Sequence, residues 1–335
     1  MTASDTTPCW DGNDPAAIAR AADVLRGGGL VALPTETVYG LGANAADDRA
    51  VARIFAAKGR PADHPLIVHL ASAQQMSDWA CDVPPAAWKL AGHFWPGPLT
   101  LILKRAPGVA EAASGGLATI GLRVPAHPVA QALLQALGGG IAAPSANRFG
   151  RISPTSAADV LAELSGRIDG VLDGGPCAVG LESTILDLSG AQPQVLRPGR
   201  ITADQLAAVV GPVRAHASAS APAVPGSLEA HYAPATPLRV VPAAQLEAEA
   251  AGQATAGAVV VLARREPQSA VECRWVRLPD DADAYGHELY ARLREADAYG
   301  AACILVERPP QGPAWQAVHD RLKRATAGSC AGKAV

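Results

Sequence analysis

The side chains able to do chemistry crowd between residues 34 and 200, mostly where strands or helices should end. PTETVYGLG (34–42) sets Thr35, Glu36 and Thr37 beside glycines. Small hydroxyls with close backbone approach suit a small polar ligand, and equally a hydroxyl-capped turn. In AAKGRPADHPLIVHL (56–70), Lys58 and Arg60 flank Gly59 at a helix end that Pro61 closes. Two cations on such a corner can grip a polyphosphate, Arg as a planar fork and Lys as a point charge. They can also simply complement the helix C-terminal dipole. His64 and His69 lie either side of PLIV, at a spacing that does not suggest a metal. Arg123 lies within the apolar strand TIGLRVP (119–125), where a charge is costly unless paired. Its candidate partners are Glu36, Glu182 or the carboxylate of a ligand. APSANRFGRISPTSA (143–157) supplies Ser145, Asn147 and Ser153. Ser153, before Pro154, is expected to cap a helix whose N-terminus can also hold an anion. LESTILDL (181–188) and VLRPGR (195–200) add Ser183, Thr184, Arg197 and Arg200.

Several absences narrow the chemistry. The sequence has no G-x-x-x-x-G-K-[ST] loop, no G-x-G-x-x-G after a strand, no HExxH and no G-x-S-x-G elbow. Its six cysteines are scattered without CxxC spacing, which argues against zinc and a disulfide framework and fits a reducing cytoplasm. No covalent nucleophile stands out. A set of hydroxyls, histidines, Arg and Lys suits phosphate or nucleotidyl chemistry, carried out by positioning and charge stabilisation.

The elements that must position these groups read as α/β. Asp14 caps a helix over 14–27 that starts with Pro15 and ends at Gly27; LVAL (30–33) follows as a buried strand. A helix over 47–58 ends at Gly59, and strands are expected at 65–70, 99–103 and 120–125, with helices at 128–137 and 154–164. The segment 211–237 is rich in Ala, Ser and Pro and reads as a linker. Beyond it, strands at 259–263, 274–278 and 303–307 alternate with helices at 285–299 and 314–326, the pattern of a small parallel sheet. The division is therefore 14–210, a linker over 211–237, and 238–330. Only 4% of the 335 residues are aromatic and 49% are hydrophobic, so Ala, Val, Leu and Ile must fill the core. The net charge of −3 is spread without a basic region, which speaks against counterion-driven nucleic-acid binding. No signal peptide and no membrane-spanning run is expected.

In order along the chain, LPTETVYGLG, KGRPADHPLIVH, FWPGPLTLIL, GLRVP, APSAN with SPT, ESTILD and LRPG resemble the YrdC-like threonylcarbamoyl-AMP synthases. PGSLEAHYAP, followed by a small α/β domain, is similar to the long two-domain form of that family. Asp63 departs from the pattern, where asparagine is expected before HPL. The resemblance implies an α/β fold: a YrdC-like twisted open sheet with a large concave cavity, plus a small Rossmann-like C-terminal α/β domain. It implies ATP-dependent synthesis of L-threonylcarbamoyl-adenylate from L-threonine, bicarbonate or CO2, and ATP. Pyrophosphate is released, and the product feeds the t6A base of tRNA through downstream transfer proteins. By motif, threonine would be held by Thr37, His69, Arg123, Ala143 and Ser183. ATP would meet Arg60, His64, Thr119, Ser145, Ser153, Arg197 and Tyr232. Lys58 and Asn147 match the phosphate and Mg2+ neighbourhood. Tyr232, in the linker, suggests a lid over the nucleotide. Three rivals are weighed: a double-stranded RNA-binding module; a carbamoyl transfer of the hydrogenase-maturation type, whose zinc-finger CxxC pairs are missing here; and a purely structural role for the polar residues, which leaves Arg123 unexplained.

Overall fold

The computed structural model describes residues 6–255 and 257–331. Its contacts divide the chain into two units: one runs up to Phe149 and resumes over Ser153–Ser227, the other joins Gly150–Ile152 to the chain from Leu228 onward.

Ten strands form one mixed sheet in the first unit: β1 (Cys9–Asp11), β2 (Val31–Leu33), β3 (Gly40–Asn44), β4 (Ile67–His69), β5 (Leu99–Lys104), β6 (Thr119–Arg123), β7 (Ile141–Ala142), β8 (Gly170–Asp173), β9 (Thr184–Asp187) and β10 (Gln194–Arg197). They lie in the order β1-β8-β2-β3-β7-β4-β6-β5-β9-β10. β4 runs parallel to β6 with His69 opposite Arg123, and β5 is antiparallel to β6 with Lys104 opposite Thr119. Successive strand residues face opposite sides. Val68, Leu99, Leu101, Leu103, Ile120 and Leu122 therefore enter the main core, where the helices Asp48–Lys58, Pro85–Phe94 and Ala157–Leu164 also bury residues. His69, Thr100, Thr119, Gly121 and Arg123 belong to the other face by the same alternation.

That second face is covered in two different ways. The helices Pro15–Arg26 and Pro128–Leu137 pack with Val31, Leu33, Ile141 and Leu172, over the part of the sheet built from β8, β2 and β7. Asp14 caps the first helix through Ala16 N, as its sequence predicts, and Gly138 ends the second in the left-handed region at φ 74°. Over the other half, Ile67, Ile102, Ile185 and Leu196 meet Val224 and Ala221 of the segment that follows the last helix of this unit. That segment is more than a linker: Arg214 bonds through its main chain to Pro193 and Val195, and Ser218 N donates to Gln194 Oε1.

The second unit holds a four-stranded all-parallel sheet, β11 (Leu238–Val241), β12 (Val259–Ala263), β13 (Arg274–Arg277) and β14 (Cys303–Glu307), in the order β11-β14-β12-β13. Helices Leu246–Ala254, Ala282–Ala298 and Gln316–Ala331 accompany it. The strand expected at 259–263 is found there; β11 and the helix after it, which the sequence analysis missed, complete the βαβ pattern.

Gly199 of LRPG lies hard against the start of β9. A Cβ there would stand 2.4 Å from Thr184 N and 2.8 Å from Ser183 C, main-chain atoms that cannot step aside. Gly199→Ala should lower stability by about 1–3 kcal/mol, read as a shift in the urea midpoint at unchanged m value.

Candidate active site

The strand β6 ends in a charge. Arg123, with a side chain 4% exposed, faces Glu36, whose Oε1 is 2.7 Å from Arg123 Nη2. Of the two side-chain carboxylates considered from sequence, Glu36 is the one paired with Arg123, while Glu182 accepts from Ser153. Arg123 Nη1 donates to Thr37 Oγ1 at 2.9 Å and Nε to the Gly97 carbonyl at 3.2 Å. Thr35 donates to the Val38 carbonyl, so the single hydroxyl proton of Thr37 goes to Thr35 Oγ1, 2.8 Å away. PTET is thus both a hydroxyl-capped turn and the wall of a charged site. His69, directly across from Arg123, is buried, and its Nδ1 has no partner among the described residues. Burial, then the Arg123 guanidinium, pushes its pKa down to about 3, so the imidazole is neutral.

Backbone bonds stitch this corner to the APSAN loop. Ala143 N donates to Ile67 O, Leu41 N to Pro144 O, and Ala146 N to Tyr39 O. Ser183 joins from β9's entrance, its Oγ 2.8 Å from Thr100 Oγ1. Thr100 was absent from the sequence candidates, although its place between Leu99 and Leu101 in an alternating strand marks it as facing the site. Arg197 donates through Nε and Nη2 to the Ser183 carbonyl, through Nη2 to Ser183 Oγ, and through Nη1 to the Pro225 carbonyl at 3.0 Å.

Arg60 lies where the chain enters β4, while Lys58 meets the loop that carries Ser145 and Asn147. β4 and β6 pair from Ile67 opposite Gly121 to His69 opposite Arg123, and Pro65 lies in the chain that enters β4. Arg60 Nη2 donates to the Pro65 carbonyl at 3.0 Å. From Thr119 to Arg123 the strand rises about 13 Å. Arg60 and His64 both lie against the Phe149 ring, at 5.9 and 5.6 Å. Burial, then Arg60, lowers the His64 pKa. Lys58 ends its helix before Gly59, which adopts φ 63°. Its Nζ donates to the Ser145 carbonyl at 2.6 Å and to the Asn147 carbonyl. Burial first, and Arg60 second, push the Lys58 pKa down to about 7.

One expectation needs revision. Ser153 is not the helix cap: Ser156 caps Ala157–Leu164 in a reciprocal capping box with Asp159, while the buried Ser153 hydroxyl donates to Glu182 Oε1 at 2.6 Å. Tyr232 belongs to the C-terminal unit, where it is buried beside Tyr290 with the Arg321 guanidinium 5.2 Å from its ring, at a left-handed φ of 60°. Among the described residues, no three His, Cys, Asp or Glu side chains gather as a metal site.

The Sua5/YciO/YrdC family model, whose description reads telomere recombination, matches residues 23–199. The model of the threonylcarbamoyl-AMP synthase C-terminal domain matches residues 201–327. The threonylcarbamoyl-AMP synthase of Pyrococcus abyssi is 40% identical, over 91% of this chain and 93% of its own. That of Bacillus subtilis is 48% identical, over 70% and 69%. The crystal structure of P. abyssi Sua5 complexed with L-threonine is similar at a TM-score of 0.89 and 38% identity, covering 96% of this chain and 98% of that one. A P. abyssi Sua5 structure with an adjacent histidine and tyrosine both changed to alanine matches at a TM-score of 0.90.

Replacing Arg123 by methionine keeps the bulk and strands the Glu36 carboxylate. Arg123→Met should destabilise the protein by about 3–5 kcal/mol in urea unfolding, and adding Glu36→Gln should restore much of it. For Lys58, the unfolded chain keeps its proton up to about 10.5, whereas the native chain releases it near 7. The native state therefore gains stability as pH rises between those values, and Lys58→Met should flatten that rise in denaturant titrations.

Proposed function

The chain belongs to the two-domain YrdC/Sua5 family of threonylcarbamoyl-AMP synthases, and from that premise we infer how its residues make L-threonylcarbamoyl-adenylate. It is an enzyme of this type, acting at the first step of tRNA t6A formation. The observation that carries the assignment to the β6 end is the buried Arg123, held beside Glu36 and Thr37 and opposite the neutral His69. A guanidinium there suits the threonine carboxylate; the imidazole and hydroxyls of His69, Thr37 and Ser183, with the main chain at Ala143, suit its polar atoms.

ATP is proposed to meet Thr119, Arg60, His64, Ser145, Ser153 and Arg197, its contacts running from the Thr119 end to Arg197, which stands level with Arg123 through β9 and β5. The roughly 13 Å between the two strand ends lets one face serve both substrates. Bicarbonate or CO2 joins the threonine amine as a carbamate, whose oxygen attacks the α-phosphorus; pyrophosphate leaves and no side chain is acylated. The cations neutralise the charge that builds on the leaving group. A magnesium ion brought in with ATP would be held near Lys58 and Asn147, where the Lys58 ammonium already meets the Asn147 carbonyl. Bound in that way, it would add its own charge to the stabilisation of pyrophosphate.

The part of the linker from Gly211 to Ser227 is proposed as a cover that keeps water from the labile adenylate. Val224 already lies on Ile67 and Ile102, and Pro225 accepts from Arg197, which supports this role. The adenylate then passes to downstream transfer proteins, in the cytoplasm. Among the described residues, no helix is long and apolar enough to cross a membrane. The RNA-binding alternative is not favoured.

Pyrophosphate release should require ATP, L-threonine and bicarbonate together. Arg123→Lys keeps the charge but loses the planar fork, and should raise the KM for threonine roughly tenfold or more while leaving that for ATP nearly unchanged. Equal rises in both would remove Arg123 as the carboxylate partner.

A further inference from the structure

We propose that Glu36 receives the α-ammonium group of the amino-acid substrate and accepts the proton that leaves it as the carbamate forms. This rests on the synthase activity assigned above and adds a residue and a role to it. The geometry is unlike that of a purely structural ion pair. Glu36 Oε1 and Arg123 Nη2 lie 2.7 Å apart, yet neither atom is aligned in a hydrogen bond, although both are buried. The neighbouring atoms have partners elsewhere: Glu36 Oε2 accepts from Ala126 N, Arg123 Nη1 serves Thr37, and Nε serves Gly97. Val179 N fixes the Glu36 carbonyl at 2.7 Å, so the residue is held in place by its main chain without that pair.

What remains is a close ion pair of one anionic oxygen and one cationic nitrogen, not aligned on each other, so that each keeps hydrogen-bonding directions open to a ligand. Buried groups left in that condition are costly and call for an occupant. An α-amino acid carries the complementary pair, an ammonium and a carboxylate on adjacent carbons. His69 Nδ1 is a third unpartnered buried atom, opposite Arg123, and suits a polar substituent on the same small molecule.

Binding itself then prepares the proton transfer. Once the substrate carboxylate engages Arg123, that guanidinium is shared between two carboxylates and holds the Glu36 carboxylate less exclusively. The transfer is R–NH3+ + Glu36–COO− → R–NH2 + Glu36–COOH. The freed nitrogen lone pair forms the N–C bond as the C=O π pair moves to oxygen. Overall, R–NH3+ + HCO3− gives R–NH–COO− + H2O + H+, and Glu36 returns its proton to solvent or to the departing water. The other titratable groups facing Glu36 are Arg123, His127 and Cys177. His127 uses Nδ1 to accept from Val129 N, and burial raises the Cys177 thiol out of reach, so neither competes as the base.

The test compares threonine with 2,3-dihydroxybutyrate, in which a hydroxyl replaces the α-amine, as a competitive ligand of the full-length protein during pyrophosphate release. Wild type should hold threonine roughly 10- to 100-fold more tightly than the hydroxy acid. Glu36→Gln should erase that preference and abolish the acid-side fall of kcat/KM, whereas a general loosening of the site would weaken both ligands alike. Equal affinity of the wild type for the two ligands overturns the proposal without any variant. So does a Glu36→Gln protein that keeps both the preference and the acid limb. A wild type that releases pyrophosphate without regard to threonine overturns the assigned activity, and the proposal with it.

Discussion

A guanidinium buried at the end of a strand is the constraint around which this site is built. Arg123 has to be paired, and the fold spends a carboxylate, a hydroxyl and a main-chain carbonyl on it. PTET comes from the turn before β3, Gly97 from the turn before β5, and His69 from the parallel neighbour β4. Holding three such segments to one side chain requires the order of strands that the sheet adopts. The low exposure that makes Arg123 expensive also makes it strong toward an anion, because little water competes.

The two halves of the sheet divide the labour. One face is filled throughout by aliphatic side chains of the main core. The opposite face is closed by two helices on one side and by an irregular segment, Ala221 and Val224, on the other. A helix brings its own satisfied backbone and a broad apolar stripe, so it leaves no polar wall for a ligand. An extended segment covers only a few side chains, and alternation along β4, β5 and β6 leaves His69, Thr100 and Arg123 on that side. Parallel pairing of β4 with β6 sets His69 directly opposite Arg123 on that side.

Lys58 and Arg197 do more in three dimensions than their motifs imply. Both are buried and already donate to carbonyls: Lys58 to the loop carrying Ser145 and Asn147, Arg197 to Ser183 and Pro225. Each therefore shapes the loops of the site in addition to presenting a charge. Their motif positions say nothing of this, because the acceptors include main-chain atoms 87 and 28 residues away.

The order of amino acids was enough for the local devices: the Asp14 and Gly59 caps, the strand at 259–263, the parallel pattern of the second unit, and the set of chemical groups between 34 and 200. These depend on neighbours within a few residues and on side-chain period, both of which are written along the chain. It also required an anionic partner for Arg123 without choosing between Glu36 and Glu182. That choice came from the folded chain, which also placed Ser153 on Glu182 instead of at the helix cap, recruited Thr100 and Gly97, and laid Val224 over the sheet. Short strands such as β1, β7 and β10 escaped prediction for the same reason. A two- to four-residue strand has too little periodicity to declare itself, and exists because a distant neighbour satisfies its backbone.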